Sequence, residues 1–297
     1  MRYAAIDIGS NAVRLLIADI IENDGSISFK KNTLIRVPLR LGDDAFLHQH
    51  ISAKKADDLV KTMHAFRNLM DVYKVGDYMA CATSAMREAK NGGEVVQQIK
   101  EQANIDLEIV HGQTEAKIIY ASHAEQNIDK TKTYLYIDVG GGSTELSLFS
   151  AGELVASRSF NIGTIRILDN QDTEESWEAM KNFIREHTRQ YKLIAGIGTG
   201  GNINKLYKLS EEKDNSPLTF AKLKSLYNYL DSFSLKDRIN VLGLNQDRAD
   251  VIIPACEIYM AVMKWAGIKH MFVPSVGMVD GIIQTLIDKN YVKNTLN

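Results

Sequence analysis

Ile6-Asp7-Ile8-Gly9-Ser10-Asn11 and Ile137-Asp138-Val139-Gly140-Gly141-Gly142 share one pattern: an apolar run with aspartate near its end, then glycine two residues on. A turn built from glycine, serine and asparagine uncovers consecutive backbone N–H groups, and such a nest binds phosphate oxygens. The candidate phosphate-binding residues are Gly9, Ser10 and Asn11 in the first turn and Gly140, Gly141, Gly142, Ser143 and Thr144 in the second. An aspartate behind each turn suits Mg²⁺, which takes one or two protein carboxylates and completes its shell with water and substrate phosphate. Asp7 and Asp138 are placed for that role. Glu145, two residues past Ser143, could hold the metal or a water bound to it. A single glycine-rich hairpin is as easily a tight turn and nothing more, and Glu145 as easily a solvent-facing strand residue. The repetition, aspartate included, is what points to chemistry.

These turns need strands on both sides. Residues 1–8 and 13–20 flank the first turn, 133–139 and 144–149 the second, and a third strand follows each hairpin, at 26–37 and 152–159. Ser52 reads as the N-cap of a helix running to about Tyr73. A strand at 78–82, a helical stretch over 84–104 broken at Gly92-Gly93, a strand at 106–110 and a helix at 113–126 complete the first half. The second half continues with helices at about 161–169 and 173–190. A strand at 193–197 then leads into Gly198-Thr199-Gly200-Gly201 and a helix, and the rest is mainly helix apart from a strand near 271–273. Strands and helices mixed in this way indicate an α/β layered fold, and two copies of a domain-length unit imply duplication. The expected division is 1–125 and 126–297, with a C-terminal helix at about 280–297 packing back on the first domain.

Composition sets the outer bounds. The chain has 297 residues, 35 Lys+Arg against 37 Asp+Glu, and 45% hydrophobic residues. That is an ordinary globular composition for about two domains. The balance of charge argues against a general nucleic-acid binder, which normally carries a basic field, and leaves room for a local basic channel. Two distant cysteines, Cys81 and Cys256, make neither a disulfide framework nor a zinc site. The N-terminus has Asp7 inside its apolar stretch, unlike a secretory signal, and no uncharged run is long enough to span a membrane. The expected location is the cytoplasm.

The motifs also carry a resemblance. DIGSNAVRLLIADI, DVGGGSTELSLF and IGTGGNINKL resemble, in order, the two phosphate motifs and the third glycine-rich motif of the actin/Hsp70/sugar-kinase (ribonuclease H-like) superfold. DxGSN at 7–11, ATSAMREA at 82–89, VHGQTEAKIIY at 110–120, DVGGGSTEL at 138–146 and PSVGMVDGII at 274–283 narrow it to the exopolyphosphatase/guanosine-pentaphosphate phosphohydrolase family, over essentially the whole chain. The resemblance implies two actin-like domains with a substrate cleft between them. It also implies Mg²⁺-dependent release of the terminal phosphate of inorganic polyphosphate, and in many members of the 5′ phosphate of guanosine pentaphosphate. Glu115, matched through Gly112-Gln113-Thr114-Glu115-Ala116, takes the role of catalytic base, with Thr114 standing where the family has a first glutamate. Arg87 matches the arginine that contacts phosphate, and Asp138 and Glu145 match acidic residues around the metal. The family's larger members carry a further HD-like domain that these 297 residues do not match, which implies a preference for short chains or weaker processivity.

Beside the resemblance, Glu115 lies at a predicted helix start, where the dipole alone favours a carboxylate. Arg14, on the strand after the first turn, is a second guanidinium for phosphate oxygens, or a strand residue pointing to solvent. Arg166, after Gly163-Thr164, is a weaker candidate for the channel and reads first as a solvated helix arginine. Two rivals stay open. A superfold ATPase or sugar kinase would use 197–206 as an adenosine site, and a polyphosphate- or alarmone-binding regulator without turnover would be consistent with Thr114. His48 and His50 read as loop residues, His111 as loop packing, and Lys54-Lys55 and Lys130–Lys132 as solvated. The apolar face of 246–265 suits the core or the contact of a homodimer.

Overall fold

The computed structural model describes residues 1–23, 26–122, 129, 131–213 and 215–295. In chain order it forms β1 (Arg2–Ile8), β2 (Val13–Asn23), β3 (Ser26–Val37), α1 (Leu41–His48), α2 (Ala53–Val72), β4 (Asp77–Ala82), α3 (Ser84–Glu88), α4 (Gly92–Ala103), β5 (Leu107–Ile109) and α5 (Gly112–Ala121). Then come β6 (Thr133–Val139), β7 (Thr144–Ser150), β8 (Glu153–Phe160), α6 (Thr164–Leu168), α7 (Glu174–Thr188), β9 (Ala195–Thr199), α8 (Gly201–Leu209) and β10 (Leu218–Thr219). The chain ends with α9 (Phe220–Asp231), α10 (Leu235–Asn240), α11 (Gln246–Ala249), α12 (Ile252–Ala266), β11 (His270–Phe272) and α13 (Met278–Thr295).

Two compact units result. Residues 1–126 and 276–297 make the first, and 127–275 the second, so the second ends at Ser275 and the terminal helix belongs to the first. The reason is packing. Met278, Val279, Ile282, Ile283 and Leu286 of α13 bury themselves against Tyr3, Ala5, Leu16 and Ile118 of the first sheet and α5. Gly281 lets the helix come so close to α5 that a Cβ there would collide with the Ile118 carbonyl.

The first sheet runs β3-β2-β1-β4-β5, and the second runs β10-β11-β9-β6-β7-β8. Read from its other edge, the second repeats the order of the first and adds β10. The hairpins are superimposable in register: Asp7 pairs with Arg14 as Asp138 pairs with Glu145, and Ile8 with Val13 as Val139 with Thr144. The third strands and the parallel neighbours β4 and β9 follow in both.

The differences from the sequence expectations are local. A helix, α1, occupies 41–48, and His48 is its last residue rather than part of a loop. Its N-cap is Arg40 in the left-handed region (φ 49°), which offers no Ser, Thr, Asp or Asn signal to read. The break in 84–104 falls at 89–91, and Gly92 opens α4, where a Cβ would meet the Met86 carbonyl. β9 extends to Thr199 because Gly198 and Thr199 pair with Ile137 and Asp138. The stretch 246–265 is core: Ile252, Cys256, Tyr259 and Met263 are fully buried in the second unit. The predicted helix end at 123–126, His123, Lys130 and the last two residues lie outside the described residues.

Candidate active site

In the first unit β1, β4 and β5 are parallel, and Ile8, Ala82 and Ile109 stand level at their C-terminal ends. Segments leaving that end of a parallel sheet are where ligands bind in α/β folds. The first turn leaves β1 there. Its Gly9 N–H donates to the Ala12 carbonyl (3.2 Å), while the Ser10 and Asn11 carbonyls accept from Gly42 (2.9 Å) and Arg40 (3.0 Å). Across a trans peptide the C=O and the next N–H point opposite ways. The N–H groups of Asn11 and Ala12 therefore aim away from the 40–42 segment. The Ser10 hydroxyl shares a 2.8 Å hydrogen bond with that of Ser84, which opens α3 beyond β4.

Arg87, on α3, donates to the Val110 carbonyl (2.8 Å) and stands 3.7 Å from Glu115 Oε2. Glu115 sits one turn into α5, its N–H bonded to the His111 carbonyl (2.9 Å), and its side chain is 12% exposed. Thr114 beside it is exposed, as is His111 at the N-cap. The absent glutamate would thus have faced solvent. Asp7 is buried and bonded to Arg14 (2.6 Å). Burial raises its pKa, and the Arg14 charge only partly opposes that. Cys81, level with Asp7 on β4, has its thiol pushed up to about 12 by burial first and then by the charges of Asp7, Glu108 and Glu115.

In the second unit the glycine turn is held from below by the start of α6. The Gly140 carbonyl accepts from Thr164 (3.0 Å), the Gly141 carbonyl from Ile165 (2.8 Å) and Arg166 (3.3 Å), and the Gly142 carbonyl from Arg166 Nε (2.6 Å). Gly163 makes this possible, since a Cβ there would strike the Gly141 backbone. By the same peptide geometry the N–H groups of Gly141, Gly142 and Ser143 point away from α6. Asp138 Oδ2 accepts from the Thr199 hydroxyl (2.9 Å), whose carbonyl in turn accepts from the buried Tyr259 hydroxyl (3.0 Å). Glu145, buried and directly across from Asp138, accepts from Ser159 (2.8 Å). Gly200, at φ 91°, leaves open the space beside Asp138 Oδ1 that a Cβ would fill at 2.7 Å. Asn202 donates to the Val139 carbonyl (3.1 Å) and accepts from Arg248 (2.7 Å).

Several expectations change. Gly9 and Gly140 spend their N–H groups inside the turns, the latter on Ser143 (2.9 Å), so the outward donors begin one residue or more later. Thr144 is fully buried and gives its hydroxyl to the Ile162 carbonyl (2.6 Å), pointing into the layer beneath the turn. Arg166 is buried under the turn rather than solvated. Asp7 and Arg14, expected as a metal ligand and a phosphate contact, are bound to each other. The sequence marks Thr199 and Gly200 only within the glycine-rich segment 197–206, an adenosine site in the rival reading, and does not mark Ser159 or Arg248 as site residues. The glycine pair at 200–201 was the signal for the first two; Arg248 had none.

Asp138 and Glu145 fit Mg²⁺. Two hard carboxylates face one side of adjacent strands beside a space kept free by Gly200, and Mg²⁺ asks for no more than two. Among the described residues no group of three or more His, Cys, Asp or Glu side chains forms a metal cluster.

A family model described as the Ppx/GppA phosphatase family matches residues 21–290. The chain belongs to that family. A Haemophilus influenzae protein named "Putative exopolyphosphatase" is 24% identical over 97% of this chain and 92% of its own length. The structure of an exopolyphosphatase from Cytophaga hutchinsonii matches with a TM-score of 0.84 at 24% identity, over 97% of this chain and 98% of that one. The Aquifex aeolicus Ppx/GppA family member matches with a TM-score of 0.75 at 24% identity, over 98% of both. The fold is that of the Ppx/GppA proteins, two actin-like α/β domains. As a Ppx/GppA protein the chain is a phosphatase, a hydrolase of phosphoanhydrides. No helix among the described residues is long and apolar enough to cross a membrane.

Proposed function

We propose that the chain removes the terminal phosphate of inorganic polyphosphate by in-line attack of water, with guanosine pentaphosphate as a second substrate. The observation that carries this is the Arg87–Glu115 pair at the C-terminal ends of the first sheet. A largely buried carboxylate lies 3.7 Å from a guanidinium, on helices that open beside the first phosphate turn. Such a pair suits water attack on an anion. The carboxylate can orient a water and accept its proton, and the guanidinium, with its remaining N–H groups, meets phosphate oxygens.

The roles divide by unit. In the first, the N–H groups of Asn11 and Ala12 hold phosphate oxygens, Arg87 binds an equatorial oxygen, and Glu115 orients water and accepts its proton. In the second, the N–H groups of Gly141, Gly142 and Ser143 form the other nest. Mg²⁺ held by Asp138 and Glu145 would supply positive charge against the substrate's anionic oxygens. Thr199 and Ser159 fix those two carboxylates, and Arg166 and Gly163 fix the turn.

The test is phosphate release with polyphosphate, guanosine pentaphosphate and ATP in parallel, each with Mg²⁺ and with EDTA. Mg²⁺-dependent release from polyphosphate with ATP poor is expected, and release from ATP alone overturns the substrate assignment. Glu115→Gln should lower turnover by about 10²–10⁴ while substrate still binds. Near wild-type release by that variant sinks the assignment of the base.

A further inference from the structure

A groove of about 1250 Å³ opens at the opposite end of the second sheet from the glycine turn. It lies where β6, β9 and β11 begin and where α7 and α12 end. Its floor is separated from Asp138 by the length of β6, roughly 20 Å at ~3.3 Å per residue. Arg185, Arg189, Lys192, Lys264 and Lys269 line it together with Lys132, which is paired with Asp129 (3.2 Å), and Glu186 is its one acidic lining residue among those described. For a chain of net charge −2 this is a segregated positive field. Cations at helix C-termini answer the helix dipole, which accounts for Arg185, Arg189 and Lys264. It does not account for Lys192 and Lys269, which stand in loops and converge on the same opening. Among the described residues no ion pair neutralises Arg185, Arg189, Lys192, Lys264 or Lys269.

The walls between the cations are apolar and aromatic. Trp265 and Tyr191 line the groove, Phe272 is 41% exposed there, and Leu193 is 87% exposed. A bare inorganic anion would use the charged rim and leave that wall wet. We propose that the groove binds an organic polyanion. A flat ring would lie on the aromatic wall and two or more phosphate groups on the guanidinium and ammonium groups, the chemistry of a nucleoside di- or triphosphate.

The chain's two tryptophans, Trp177 and Trp265, touch each other with ring centroids 6.0 Å apart, so their emission reports on the groove wall. The full chain in EDTA would be titrated with ATP, inorganic tripolyphosphate and adenosine while tryptophan emission is read. No turnover is involved, so the outcome is separate from that of the phosphatase assignment. ATP is expected to change the emission saturably, tripolyphosphate to bind more weakly, and adenosine to bind far more weakly still. Arg189→Glu with Lys264→Glu should weaken ATP about tenfold or more, and added salt should weaken it further. Arg185→Glu with Lys192→Glu repeats the test on other exposed positions, with circular dichroism confirming the fold of each variant. No saturable change with ATP, or unchanged affinity in both charge-reversed pairs, overturns the site. Tripolyphosphate binding as tightly as ATP overturns the role of the ring.

Discussion

Replacing Gly200 by alanine tests whether the position of Asp138 matters. Gly200 sits at φ 91°, ψ 173°, a region that is essentially glycine's alone, and alanine there costs about 1–3 kcal/mol. The new Cβ would also stand 2.7 Å from Asp138 Oδ1. The carboxylate cannot swing away without disturbing the 2.9 Å bond from Thr199, worth about 1 kcal/mol. The total is roughly 2–4 kcal/mol, which for a unit of this size lowers the melting temperature by about 5–15 °C. Gly243 supplies the control. It too has positive φ (63°), but nothing lies within 4 Å of its would-be Cβ. Gly243→Ala should cost about 1–2 kcal/mol of backbone strain and spare the site. Thermal melts and phosphate release across a Mg²⁺ titration would compare the two. Gly200→Ala should need more Mg²⁺ and turn over more slowly, while Gly243→Ala keeps wild-type kinetics. Equal melting shifts, together with unaltered Mg²⁺ dependence in Gly200→Ala, would refute the argument.

Other outcomes follow from buried groups. Arg14→Ala strands Asp7 without its cation, and a loss of about 2–4 kcal/mol in a urea melt is expected; the side chain's 25% exposure keeps it below the cost of breaking a fully buried pair. Because burial raises the folded pKa of Asp7 above 3.8, wild-type stability relative to Asp7→Asn should fall as pH rises from about 3.8 through that folded value. Melts of both proteins across acid pH would check the sign, and a wild-type advantage that grows with pH contradicts it. Cys81 and Cys256 are buried with thiols pushed up to about 12, so a disulfide-exchange reagent at neutral pH should label neither in the native protein and both in denaturant. Fast labelling of either would show that its surroundings open.

Much of the architecture was legible in the residues because its signals are local. β3 and β6 run over the predicted residues, since short strand-like runs bounded by turn residues need only their own neighbours to declare themselves. Ser52 caps α2 by accepting from Lys55, as its type and place imply. The hairpin repeat put Asp7 and Asp138 in equivalent positions, and the register of the two hairpins agrees. Helix α1 escaped because its start lacks a capping side chain. The extension of β9 escaped because Gly198 and Thr199 are strand residues only by virtue of pairing with β6. Glu115 was found through its motif, but its closeness to Arg87 depends on α3 and α5 leaving neighbouring strands.

The sequence by itself determined the duplicated hairpins, the glycine turns and the acidic residues behind them, because hydrophobic period and turn chemistry act over a few residues. Tertiary structure decided what those residues do. It paired Asp7 with Arg14 but left the equivalent Asp138 facing a carboxylate, turned the N–H groups of both loops outward by fastening their carbonyls to 40–42 and to α6, and sent the Thr144 hydroxyl inward. It also gathered Arg185, Lys192, Lys264 and Lys269 at one opening. Each of these outcomes depends on partners on another strand, helix or loop, and the direction of a hydrogen bond or the neighbour of a charge is settled only when the fold brings those partners together.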